Sequence, residues 1–122
     1  MMIPTLKITE SASPHPSGLW TVPGKVASVS HLLRVPSGAC PFSRNPVLGL
    51  ARLTYAPAGL TLEVVALHRY MQDIVRGAVD HPRSVEGLAE RIAVDTSAAV
   101  GVPVAVELVL LVRPWQVLRV LA

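Results

Sequence analysis

Aromatic residues are scarce in this 122-residue chain, which has two Trp, two Tyr and one Phe. A core must therefore be built from Val, Leu, Ala and Ile, and the ring platforms on which single-stranded nucleic acid stacks are missing. Lysine occurs only as Lys7 and Lys25. The 11 basic and 8 acidic residues leave a net charge of +3 with no basic run. Direct contact with nucleic acid is not expected from that pattern, in spite of a pI near 9.6. Cysteine occurs once, as Cys40, which excludes an intramolecular disulfide and suits a reducing, cytoplasmic setting. Long apolar runs are also absent. Val104 to Val112 is interrupted by Glu107 and is about half of the roughly 20 residues a membrane helix needs. Met1 to Lys7 carries no signal-peptide pattern, so a soluble protein without membrane contact is expected.

What is abundant is aliphatic. Hydrophobic residues make up 51% of the chain and charged residues 16%, a balance that leaves apolar surface for association and predicts a homo-oligomer. The length suits one domain. Residues 1–18, with Pro4, Pro14, Pro16 and several Ser, read as a flexible arm, and 19–122 as the domain.

Within that domain Leu19 to Val35 is β-like but broken at Pro23-Gly24, giving a strand or a bent pair. Leu48 to Ala56 predicts a second strand, ended by Pro57-Ala58-Gly59. From Leu62 onward, Leu67, Tyr70, Met71, Ile74 and Ala78 mark one face of a helix, with Gly77 and Asp80-His81-Pro82 as its end. Val85, Leu88, Ala89, Ile92 and Ala93 mark a second helix, which Asp80 or Ser84 would cap and Gly101 would stop. Val102 to Val112 and Val117 to Leu121 complete the chain as strands, and their unbroken Val/Leu character predicts a sheet covered on both faces.

Two features carry chemistry. Cys40 lies in a turn-rich loop, Pro36-Ser37-Gly38-Ala39-Cys40-Pro41-Phe42-Ser43-Arg44, where nearby Arg44 favours the thiolate. A small buried thiol is the plainer alternative. Glu86 opens the second helix, where the dipole stabilises a carboxylate. His81 stands close in sequence and can serve as a general acid near neutral pH, or simply as a turn residue. The four histidines show no metal-ligand spacing.

The order Cys40-Pro41, Ser43, Tyr55-Ala56-Pro57, Glu63, Leu67, Tyr70 and then Glu86 resembles the tunnelling-fold (T-fold) enzymes of purines and pterins. The similarity is to the NADPH-dependent 7-cyano-7-deazaguanine (preQ0) reductases of queuosine biosynthesis and their amidinotransferase relatives. The loop Cys40-Pro41-Phe42-Ser43-Arg44 and the helix entry Ala78 to Gly87 also resemble type IB GTP cyclohydrolase. The resemblance implies an α+β fold of order ββααββ, a four-stranded antiparallel sheet with two helices on one face, closed by several subunits into a barrel with sites between them. It implies that Cys40 attacks the nitrile of a purine-like or pterin-like ligand to form a thioimide, that Glu86 anchors the ring edge with Ser43 beside it, and that Glu63 belongs to the cofactor motif. In the cyclohydrolase-like alternative Cys40 would ligate a metal. Two positions depart from the reductases. Val47 stands where they carry a proton-transferring aspartate, and their Glu-Ser-Lys-Ser cofactor motif reads Glu63-Val64-Val65-Ala66, which degrades the NADPH site. A zinc site is not supported, since the run that follows the cyclohydrolase cysteine is absent. A third alternative is therefore a diverged T-fold protein that binds a purine or pterin without turnover.

Overall fold

The computed structural model describes residues 7–35, 48–80, 85–113 and 116–122. In chain order the elements are β1 (Ser13–Pro14), β2 (Trp20–Gly24), β3 (Val29–Arg34), β4 (Leu48–Tyr55), β5 (Gly59–Leu62), α1 (Val64–Asp80), α2 (Val85–Val100), β6 (Ala105–Arg113) and β7 (Gln116–Leu121). The fold is α+β. Strands β3, β4, β6 and β7 form a four-stranded antiparallel sheet in that order, and β1, β2 and β5 form a smaller antiparallel one.

Strict alternation of side chains decides which face of the large sheet is buried. In β4, Ala51, Leu53 and Tyr55 point inward while Leu50, Arg52 and Thr54 are exposed. The register places Leu33, Ala51 and Leu108 in one inward row and His31, Leu53 and Val106 in the next. This face packs with Leu67, Met71 and Val75 of α1 and Leu88, Ala89 and Ile92 of α2 in one core. Fully burying each such aliphatic side chain is worth about 1.5–3 kcal/mol. Gly49 completes the packing, because a Cβ there would run into the side chain of Leu110 and come within 3.2 Å of Val35.

Both helices follow their apolar stripes. In α1 the buried positions are Ala66, Leu67, Tyr70, Met71 and Val75, and the helix runs through Gly77 to Asp80 instead of ending at the glycine. An internal glycine costs about 1 kcal/mol relative to alanine, which the packed stripe before it offsets. In α2, Val85, Leu88, Ala89 and Ile92 are buried as the spacing predicts. The buried Thr96 hydroxyl donates to the Ile92 carbonyl at 2.7 Å, so its polar atom is satisfied within the helix. Gly101 stops α2 with φ +76°, a conformation that strains any residue with a Cβ.

One open alternative is decided and two expectations are corrected. The β-like stretch before Val35 is two strands in different sheets, the bent pair of the two alternatives, with the break after Pro23-Gly24. Leu62 does not open a helix: it closes β5, which pairs with β2 through Thr21 and Leu62. This strand separates β4 from α1, so ββααββ occurs only with further strands added. The sheet is also not covered on both faces. Leu32, Leu50, Leu111, Val117 and Leu121 are exposed on the side away from the helices.

Candidate functional site

The antiparallel path of the helices fixes which end of the sheet each terminus reaches. Tyr70 of α1 donates its hydroxyl to Asp95 Oδ2 of α2 at 2.6 Å, so the early part of one helix lies beside the late part of the other. The C-terminal end of α2 passes through Gly101 into β6, whose first residue, Ala105, pairs with Thr54. A helix of 16 residues is about 24 Å long at 1.5 Å per residue. Its first turn carries Glu86, and the end of the sheet away from Ala105 is where β3 finishes and β4 begins. Val35 and Gly49, the last and first inward positions there, are joined by the Val35 N–H to Gly49 carbonyl bond at 2.9 Å.

Cys40, Ser43, Val47 and His81 lie outside the described residues. Glu86 is exposed in the first turn of α2. On the open face of the sheet, where β3 finishes and β4 begins, is a cavity of about 250 Å³ lined by Arg34, Gly49, Leu50, Val109, Leu111 and Val117. It combines aliphatic walls with one cationic side chain, and suits an apolar ring that carries partial negative charge.

Glu63 takes a different place from the one implied by the resemblance. It is buried, and its two carboxylate oxygens cap α1: Oε1 accepts the N–H of Val65 at 3.1 Å and Oε2 that of Ala66 at 2.8 Å. Two of the four N–H groups left unpaired at a helix start are satisfied in this way. The following Val64, Val65 and Ala66 offer neither hydroxyl nor ammonium, so this segment does not fit the nicotinamide motif. Among the described residues no group of three His, Cys, Asp or Glu side chains is gathered to hold a metal ion. No described helix is long and apolar enough to cross a membrane.

Sequence reasoning overlooked the group around Tyr55. The Tyr55 hydroxyl accepts the Leu62 N–H at 2.8 Å and lies 3.3 Å from His31 Nε2, and the two rings stack at 5.9 Å with an interplanar angle of 22°. Burial lowers the His31 pKa below its ordinary value and raises that of Tyr55, the latter opposed by the Leu62 N–H. Tyr70 is pushed much further up, by burial and then by the Asp95 carboxylate that its hydroxyl meets. The inward register of His31, two residues from Val29 and Leu33 on an alternating strand, was the signal available for it. The chain matches no protein-family model and no curated protein.

Proposed function

We propose that this chain is a tunnelling-fold enzyme that acts on a 7-deazaguanine nitrile, with Cys40 as its nucleophile and Glu86 as the anchor of the ring. The observation that carries the reading is positional. Glu86 stands exposed in the first turn of the second helix of an α+β fold that contains a four-stranded antiparallel sheet, the position the resemblance implies for the ring anchor.

The chemistry follows from these groups. The Cys40 thiolate adds to the nitrile carbon, one C–S bond forms, and the nitrile nitrogen takes a proton, giving a thioimide without any redox change. His81 is the nearest candidate in sequence for that proton, since Val47 cannot carry one. A nitrogen nucleophile then displaces the sulfur, leaving an amidine and regenerating the thiol. No hydride step is assigned, because the lysine and hydroxyls of the cofactor motif are replaced by Val64, Val65 and Ala66. Glu86 accepts the paired N–H groups of the guanine-like edge, an arrangement that penalises any ligand lacking one of them. Its exposure in one copy of the chain agrees with a pocket closed by a second copy. The free edges of β3 and β7 are where sheets of neighbouring copies would join into a barrel.

The test is intact-protein mass spectrometry after incubation with 7-cyano-7-deazaguanine. A mass gain equal to the nitrile, absent in Cys40→Ala and Glu86→Ala, is expected. If no adduct forms and the ligand binds with Cys40→Ala unaltered, the second reading holds: a purine-binding protein without turnover, which Val47 and the capping role of Glu63 favour.

A further inference from the structure

A second cavity, of about 390 Å³, opens between the small sheet and β3, and is lined among others by Val22, Val26, Val29, His31, Thr61 and Glu63. It is within the roughly 300–1,000 Å³ typical of small-molecule pockets. Five aliphatic side chains, Val22, Val26, Val29, Leu62 and Val64, line it, and its polar groups are few and of defined capacity. Glu63 is 2% exposed. Its carboxylate accepts one backbone N–H on each oxygen, which leaves about two of its four lone-pair positions uncommitted. A buried carboxylate without a cation is costly. Glu63 takes part in neither of the ion pairs seen among the described residues, Arg91 with Asp95 and Arg119 with Glu107.

The other polar groups suit a cation too. The Thr61 hydroxyl donates to the Val22 carbonyl at 3.4 Å and keeps its lone pairs available as acceptors. His31 Nε2 lies 3.3 Å from the Tyr55 hydroxyl, and burial lowers the His31 pKa below its ordinary value. The ring is then neutral and does not repel a positive ligand.

We propose that this cavity binds a small planar organic cation of the amidinium or guanidinium class, with Glu63 as its counter-ion and Val22, Val26 and Val29 against its apolar body. The parallel N–H groups of an amidinium match the fork of a carboxylate, the strongest of the charge-assisted pairings. Glu86 is not among the residues that line this cavity, and the proposal does not depend on the chemistry assigned to Cys40.

Isothermal titration of the full chain with benzamidine and with its neutral counterpart benzamide tests it. Benzamidine is expected to bind at least tenfold more tightly than benzamide. Glu63→Gln, which keeps an acceptor for α1 but removes the charge, should weaken benzamidine at least tenfold. Val26→Trp, which fills the cavity from an exposed position, should abolish benzamidine binding with unfolding temperature unchanged, while Cys40→Ala and Glu86→Ala should leave it intact. The proposal is overturned by absence of benzamidine binding, by equal affinity for the two probes, or by loss of binding in Cys40→Ala or Glu86→Ala. Should Glu63→Gln fail to fold, benzamidine binding that survives Val26→Trp overturns it equally.

Discussion

The Tyr55 hydroxyl accepts the backbone N–H of Leu62 at 2.8 Å, and through that bond the four-stranded sheet is fastened to the small one. Leu62 is buried, so its N–H has no water to turn to. Tyr55→Phe is expected to lower stability by about 1–3 kcal/mol, the cost of a buried donor left unmade. Urea denaturation measures this, and an unchanged midpoint would show that the N–H finds another acceptor.

Between the helices, Tyr70 and Arg91 both reach Asp95 Oδ2, at 2.6 and 3.1 Å. They are not equivalent. Tyr70 is 6% exposed, whereas the Arg91 side chain is 54% exposed and its pair is an i, i+4 surface bridge. Tyr70→Phe should cost about 1.5–3 kcal/mol, as for hydrogen bonds to charged groups, and Arg91→Ala under about 0.5 kcal/mol. Equal losses in thermal unfolding would refute the distinction.

Burial of His31 links folding to pH. In the unfolded chain its imidazole takes up a proton as pH falls through its ordinary value of 6.5, whereas in the fold it stays neutral to lower pH. The unfolded state thus binds more protons in that window, and the stability present above pH 6.5 is lost as pH falls toward the lowered value. His31→Gln should flatten the decline between neutral and mildly acidic pH. An identical slope in wild type and variant would remove His31 from the account.

For the proposed nitrile chemistry, Glu86→Gln separates recognition from folding. Since Glu86 is exposed, unfolding should shift by no more than about 0.5 kcal/mol. Affinity for 7-cyano-7-deazaguanine should fall about 10- to 100-fold, as expected from losing a charge-assisted hydrogen bond of 1.5–3 kcal/mol. Binding that persists at wild-type strength would strip Glu86 of the anchoring role.

The readable parts of the sequence were those with a long period. Leu67, Tyr70 and Met71 disclose α1 and the run from Leu48 to Ala56 discloses β4, because each pattern is long enough to mark an element. Strand β5 was missed because four residues hold one in-and-out alternation, and its Leu62 runs directly into the next element. The open face was misjudged for a different reason. Leu111 is as apolar as the buried Leu110, and side-chain type does not tell a covered leucine from an exposed one. Glu63 was assigned by resemblance to a cofactor motif, and its capping role was hidden because Ser, Thr, Asp and Asn are the usual caps. Of the nominated site residues, Glu86 lies where the helix pattern put it, while Cys40, Ser43 and His81 belong to segments outside the described residues.

The short link from Gly101 into β6 also bears on how the chain assembles. β6 and β7 pair locally, as Leu111 does with Val117, although β6 also pairs with the distant β4. By contrast, β2 waits for a partner that arrives much later: the Thr61 hydroxyl meets the Val22 carbonyl 39 residues away. Loop closure over that span is an entropic cost that local pairing avoids. The β6 to β7 hairpin is thus the pairing with the smallest closure cost, while the small sheet that walls the Glu63 cavity and the joining of β4 to β6 both need long closures.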